Sequence, residues 1–190
     1  MNMVIRTEDL LDTAARVLVR RPDATLQSIA QAAGVSRTTI FNRFPTRDAL
    51  LAALAVDTLE RMRDGMARLD WSPERAPAEV VEDLWRVVHP LSKRAAFLRM
   101  GPMHESPDVT AGWAEAFTPW GVYVATLQAM GRVRDDMPMR WLAGSLIGLV
   151  FAAFDEVDAG EQGAVQAGRL LAASWVALAG AQHRSTTEAH

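Results

Sequence analysis

The feature that most constrains this chain is its punctuation. Apolar residues recur at spacings of three and four, stretches of that pattern are closed by glycine or proline, and no sustained period-two alternation interrupts them. That combination predicts helices and little else. A first helix is expected over 8–20, capped by Thr7, with Leu10, Leu11, Ala14, Ala15 and Leu18 as one stripe and Pro22 beyond its end. Thr25 caps a short second helix, Gly34 closes it, and Ser36 caps a third that runs to about residue 41 or 42. A fourth follows Pro45, capped by Thr46. Further helices are expected near 74–88, 92–100, 108–117, 119–131, 138–157 and 161–181. Ser72-Pro73 and Thr118-Pro119 read as a cap followed by proline in the first helical position, and Asp158 and Glu161 have the spacing of a capping box. The expected architecture is all-α, about nine helices.

Composition narrows the class. There is no cysteine among the 190 residues, which removes disulfides and thiolate metal sites and suits a cytoplasmic protein. The N-terminus lacks the apolar core of a signal peptide. The uncharged run "WLAGSLIGLVFAAF" (141–154) is shorter than the roughly 20 residues of a membrane helix. His89, His104, His183 and His190 form no metal-ligand pair at helical spacing, and no nucleophile elbow, P-loop or dinucleotide fingerprint occurs. No metal, no cofactor and no catalytic residue is therefore expected.

Net charge is −3, but it is unevenly spread. Residues 1–50 carry seven arginines against five acids, a balance of +2, and the remainder carries −5. Only the first quarter can present a positive face to phosphate.

Within that quarter, "GVSRTTIFNRF" (34–44) joins two short helices through a glycine. Ile29, Ala30, Ala33, Val35 and Ile40 fall on the inward positions, while Ser36, Arg37, Thr38, Thr39 and Asn42 point outward. This is the helix-turn-helix pattern, whose second helix enters the major groove of DNA. Hydroxyls suit phosphate oxygens, and arginine and asparagine can pair with guanine and adenine edges.

The stretch "TLQSIAQAAGVSRTTIFNRFPTRDALLAALAV" resembles the TetR family of bacterial transcriptional regulators. Gly34, Val35, Ser36, Thr39, Ile40 and Phe44 match the family pattern. Phe41 stands where the family usually has tyrosine, and Asn42 and Arg43 replace the usual histidine and tyrosine. The resemblance implies a DNA-facing set of Thr25, Ser36, Arg37, Thr38, Thr39, Phe41, Asn42, Arg43 and Arg47, the last as a grip on the DNA backbone. It implies a helix-turn-helix domain over 1–64 (motif about 25–44) and a helical effector-binding and dimerisation domain over 65–190.

In that second domain, Trp85, His89, Phe97, Met100, Met103, His104, Trp113, Phe117, Trp120, Tyr123 and Leu127 concentrate bulk suited to a pocket for a small hydrophobic or aromatic effector. Gly144, Gly148, Ala152, Ala164, Ala167, Gly168, Leu171 and Trp175 lie at helical spacings in the last two helices. Such helices pair with their symmetry mates in the family, so these residues are expected at a homodimer interface. A two-fold dimer implies a palindromic operator in double-stranded DNA. The expected function is a ligand-responsive regulator, most simply a repressor released by its effector. The alternatives are an activator, a regulator without ligand, or a helical dimeric interaction protein whose DNA recognition has degenerated. No membrane association is expected.

Overall fold

The computed structural model describes residues 6–100 and 106–180, with Met100 described in its backbone only. Ten α-helices form among these residues, with one antiparallel bridge between Val133 and Gly180 and no named strand. They are α1 (Thr7–Arg20), α2 (Leu26–Ala32), α3 (Arg37–Arg43), α4 (Arg47–Ala67), α5 (Pro77–Val88), α6 (Ser92–Met100), α7 (Pro107–Ala116), α8 (Thr118–Ala129), α9 (Met139–Ala159) and α10 (Ala164–Ala179). A 3-10 turn at His89–Leu91 links α5 to α6, where Pro90 cannot continue the ladder.

Two compact units divide the helices. The first holds the chain up to Gly65 and then Pro90–Ala116; the second holds Met66–His89 and the chain from Phe117 onward. The units thus do not follow a single cut after residue 64, because α6 and α7 cluster with the N-terminal helices. In the first unit, α1 buries Leu10, Leu11, Ala14, Ala15 and Leu18 in a core completed by Ile29, Ile40, Leu50 and Leu54. Phe97, Leu98 and Val109 join that core from α6 and α7.

The same unit contains an ion network. Arg94 of α6 is 2% exposed. It donates to Asp12 Oδ1 (2.7 Å), to Asp57 and to the Glu8 carbonyl (3.2 Å). Arg61 bonds both Asp57 and Glu8 at 2.7 Å. Three elements, α1, α4 and α6, are therefore tied through two guanidinium groups. In the second unit α10 packs on α5 and α9, and α8 packs on α9.

Helix ends follow local chemistry. Thr25, Ser36 and Thr46 accept backbone N–H groups three residues on, as caps do. At the end of α2, Gly34 has φ +66°, Val35 N–H reaches the Ala30 carbonyl (3.0 Å) and Gly34 N–H reaches that of Gln31 (3.2 Å). This is a Schellman closure. A Cβ at Gly34 would meet nothing within 4 Å, so Gly34→Ala isolates the cost of a left-handed L-residue. We expect about 1–2 kcal/mol of destabilisation, read as a lower urea midpoint at unchanged slope.

Other ends depart from expectation. Arg6, not Thr7, occupies the cap position of α1 and makes no side-chain cap bond. Ser72-Pro73 lies before α5, whose early proline is Pro77. Phe117 takes the cap position of α8, which places Thr118 inside the helix. The Asp158–Glu161 capping box does not form: α9 runs through Asp158, and Gly160 turns left-handed (φ +77°) before α10 starts after Gly163.

Candidate nucleic-acid interface

The helix-turn-helix pair is α2 and α3. Ile29, Ala30 and Ile40 are buried between them and the unit's core, and Phe44 anchors the exit of α3. The opposite face of α3 is open: Ser36, Arg37, Thr38, Thr39 and Asn42 are all exposed. Ser36 Oγ accepts the Thr39 N–H (3.0 Å) and sits 2.8 Å from Thr39 Oγ1, so this hydroxyl pair is already ordered. Thr25 is exposed at the start of α2, with its Oγ1 accepting from Ser28 N–H.

Two residues have roles that sequence did not reveal. Phe41 is half-buried against the core, and the Arg37 guanidinium carbon lies 5.2 Å from its ring centroid. A cation held over an aromatic face keeps its direction without a salt bridge, so Phe41 supports Arg37. Arg47 is the correction. Its Nε donates to the Ala24 carbonyl (3.2 Å) and a terminal nitrogen to that of Pro22. It fastens the α1–α2 loop to α4, because those carbonyls lie beyond the end of α1 and need donors. Arg43 is half-buried.

The expected effector residues are divided between the two units. Phe97 belongs to the first unit's core and Trp113 packs against it; periodicity marks a buried face but not its partner. Met103, His104 and the Met100 side chain lie outside the described residues. In the second unit, Trp120 and Tyr123 lie 5.7 Å apart between ring centroids, with Trp175 4.8 Å from Trp120. Trp71, absent from the sequence-based set, joins them at 6.3 and 5.8 Å. Its signal was its place as a lone aromatic in the turn after α4. Leu127 is buried and Phe117 half-buried in this unit.

Each indole of that layer donates to a main-chain carbonyl: Trp71 to Met66, Trp120 to Ala143 and Trp175 to Leu142. The Tyr123 hydroxyl, buried with them, has no hydrogen-bond partner among the described residues. Burial pushes its pKa up, so it stays a neutral donor. Trp85 and His89 lie with tilted rings 5.0 Å apart between centroids, beside an open cleft of about 260 Å³ that also touches Glu82, Ala164 and Gly168.

The small-residue stripes of α9 and α10 serve different purposes. Gly144, Gly148 and Ala152 lie on the exposed face of α9 beside Trp141, which is 63% exposed. Ala164 is half-buried, and Ala167, Gly168, Leu171 and Trp175 are buried in the chain's own core. The reason is visible at Gly168, where a Cβ would lie 2.4 Å from Trp85 Cδ1. Close approach there is made to α5, so these four are corrected from the interface set. The outward face of α10 instead shows Val165 (71% exposed) and Leu170.

Among the described residues no cluster of His, Asp and Glu could hold a metal ion, and no helix is long and apolar enough to cross a membrane.

Comparison with known proteins agrees with this geometry. The profile described as "Bacterial regulatory proteins, tetR family" matches residues 10–54. The HTH-type transcriptional repressor Rv1474c of Mycobacterium tuberculosis is 31% identical over 150 residues, covering 72% of this chain and 74% of that protein. The HTH-type transcriptional regulator EthR of Mycolicibacterium smegmatis is 28% identical over 153 residues, covering 74% and 69%. Among solved structures, the TetR-like regulator LfrR from Mycobacterium smegmatis in complex with proflavine aligns with a TM-score of 0.67 at 24% identity, over 89% of this chain and 93% of that one.

Proposed function

Since the chain belongs to the TetR family of bacterial regulatory proteins and is a DNA-binding transcriptional regulator, we propose that it acts as a homodimeric repressor of a palindromic operator, released by a small hydrophobic or aromatic effector. One observation carries the DNA reading: α3 buries Ile40, packs the half-buried Phe41 against the core, and exposes the hydrogen-bonding groups of Arg37, Thr38, Thr39 and Asn42. Arg37, Thr38, Thr39 and Asn42 are the base-reading candidates, with Thr25, Ser36 and Arg43 toward phosphate. DNA reading is assigned to residues 1–64, and sensing and dimerisation to 65–190.

The open faces of α9 and α10 support the dimer. Trp141 with Gly144, Gly148 and Ala152 forms an apolar ridge with flat steps, and Val165 and Leu170 extend the exposed apolar area. Such patches on a chain of this size mark protein contacts.

The aromatic layer supports the effector class. An unpartnered buried hydroxyl costs about 1–3 kcal/mol, which a ligand accepting from Tyr123 would recover. LfrR binding proflavine gives a relative in which a planar aromatic molecule is held. α4 runs unbroken from Arg47 beside the recognition helix to Ala67 in the second unit, so it is the natural carrier of the signal. A coupling of about 1–3 kcal/mol suffices for such release.

The test is selection of bound sites from a random duplex library, with affinity measured at two salt concentrations. An inverted repeat is expected. Arg37→Ala should then weaken binding by about 1–3 kcal/mol and relax preference at one position per half-site, checked by titrating single-base variants. No enrichment from a folded dimer would instead favour a protein-binding role with degenerate DNA recognition.

A further inference from the structure

The arginines of the first unit divide by what they do. Arg6 pairs with Glu8 (2.6 Å). Arg47 is tied to carbonyls, and Arg37 lies over Phe41. Arg61, Arg63 and Arg94 pair with carboxylates; Arg16, Arg20 and Arg21 do not. All three lie at the solvent-facing side of α1 or just past it, none makes an ion pair among the described residues, and Arg16 bonds the Thr13 hydroxyl (2.9 Å). The acid one turn before Arg16 is Asp12, and it is already bonded by Arg94.

These three line a groove of about 360 Å³ with Thr13, Val17 and Ala32, and no acid lines it. Helix stability does not call for this arrangement. Arg16 and Arg20 are like charges four apart, which is mildly destabilising. The helix dipole accounts for cations at Arg20 in the last turn and Arg21 at the cap, but not for Arg16.

The groove also runs beside the reading motif. Arg20 ends α1 and Arg21 begins the short loop to Thr25, and Ala32 lies at the far end of α2, before the Gly34 turn into α3. Guanidinium groups pair with phosphate in a planar fork, and an apolar floor accommodates sugar carbons.

We propose that this α1–α2 groove is a second phosphate-binding surface, taking the sugar–phosphate backbone of DNA outside the bases read by α3. It rests on the reading of α3 as the recognition helix. It supplies affinity and salt dependence but no sequence preference, since phosphate contacts carry no base information.

The test is fluorescence-anisotropy titration of the full chain from 50 to 200 mM KCl, on a labelled selected site and on a scrambled duplex of equal length. Each phosphate contact contributes about 0.9 to the slope of log affinity against log salt. The triple variant Arg16→Gln, Arg20→Gln, Arg21→Gln is expected to lower that slope by about 2–3 on both duplexes. Across a fourfold rise in salt, wild type should then lose up to about 40-fold more affinity than the variant. Base preference should not change, and the corresponding triple lysine variant should restore the slope.

An unchanged slope in a variant whose helical circular dichroism and melting match wild type would overturn the proposal. So would a loss confined to the selected site. Wild type failing on both duplexes would overturn the reading of α3 and this surface with it, whereas wild type binding with an unaltered variant slope removes the groove alone.

Discussion

Replacing Arg94 with methionine is expected to cost about 3 kcal/mol of stability. The guanidinium is 2% exposed and serves two carboxylates and a carbonyl. Methionine fills the space but leaves Asp12 and Asp57 without that counter-charge. The value lies at the low end for a broken buried pair because Asp12 and Asp57 keep 41% and 31% of their side-chain surface in water, and Asp57 keeps Arg61. For a chain of this length the melting temperature should fall by about 6–12 °C.

The same network gives the expectation a pH dependence. Burial alone would raise the Asp57 carboxyl, but hydrogen bonds from Arg61 and Arg94 outweigh it and hold the group below its ordinary value. The hydrogen bond from Arg61 does the same to Glu8. A carboxylate whose folded pKa is depressed contributes stability above its unfolded pKa, near 4, and loses it as pH falls through the folded value. The gap between wild type and Arg94→Met should therefore be full at pH 7 and shrink below about pH 4. Urea unfolding at pH 7, 5 and 3.5 checks this; a gap that widens with acid would contradict it.

Trp175→Ala is expected to have the larger effect, about 3–5 kcal/mol. Trp175 is 0% exposed, stacks edge-on against Trp120 and donates to the Leu142 carbonyl at 2.9 Å. Truncation opens a cavity among α8, α9 and α10 and removes that bond. Because the side chain is interior to a single chain, the loss should not depend on protein concentration. Truncation at a dimer interface would instead give a loss that changes with concentration, because it acts through association. Melting curves at two concentrations differing a hundredfold separate the two cases, and Trp175→Phe should recover part of the loss.

Where sequence succeeded and failed has a physical pattern. The reading motif was legible because its determinants are local: Thr25, Ser36 and Thr46 each bond a backbone group three residues away, and Gly34 is needed for one left-handed turn. Helical periodicity likewise identified buried faces, including Leu171 and Trp175. It could not say what covers them, since small residues permit close approach to any neighbour, whether Trp85 of the same chain or a second copy. Phe97 failed for the same reason, since it joins a core built largely from α1 to α4, far from it in sequence. Arg47 failed for another: position in a motif does not fix where a long side chain turns, and here two loop carbonyls claimed it. The Tyr123 hydroxyl and its Trp71 neighbour were invisible because the lack of a partner is a property of packing, not of spacing.

The unit that holds the recognition helix is sewn from two separated stretches of chain, the second being Pro90–Ala116. Regulators are often imagined as interchangeable reading heads grafted onto interchangeable sensors. Here a graft cut at residue 64 would leave behind Phe97, Leu98 and Val109 from the head's core and Arg94 from its ion network. Any lineage or design that exchanges the head must carry α6 and α7 with it, or reinvent a counter-charge for Asp12 and Asp57. Inheritance of DNA specificity in this fold is thereby bound to residues that touch no DNA and that follow the sensor's first helix in the chain.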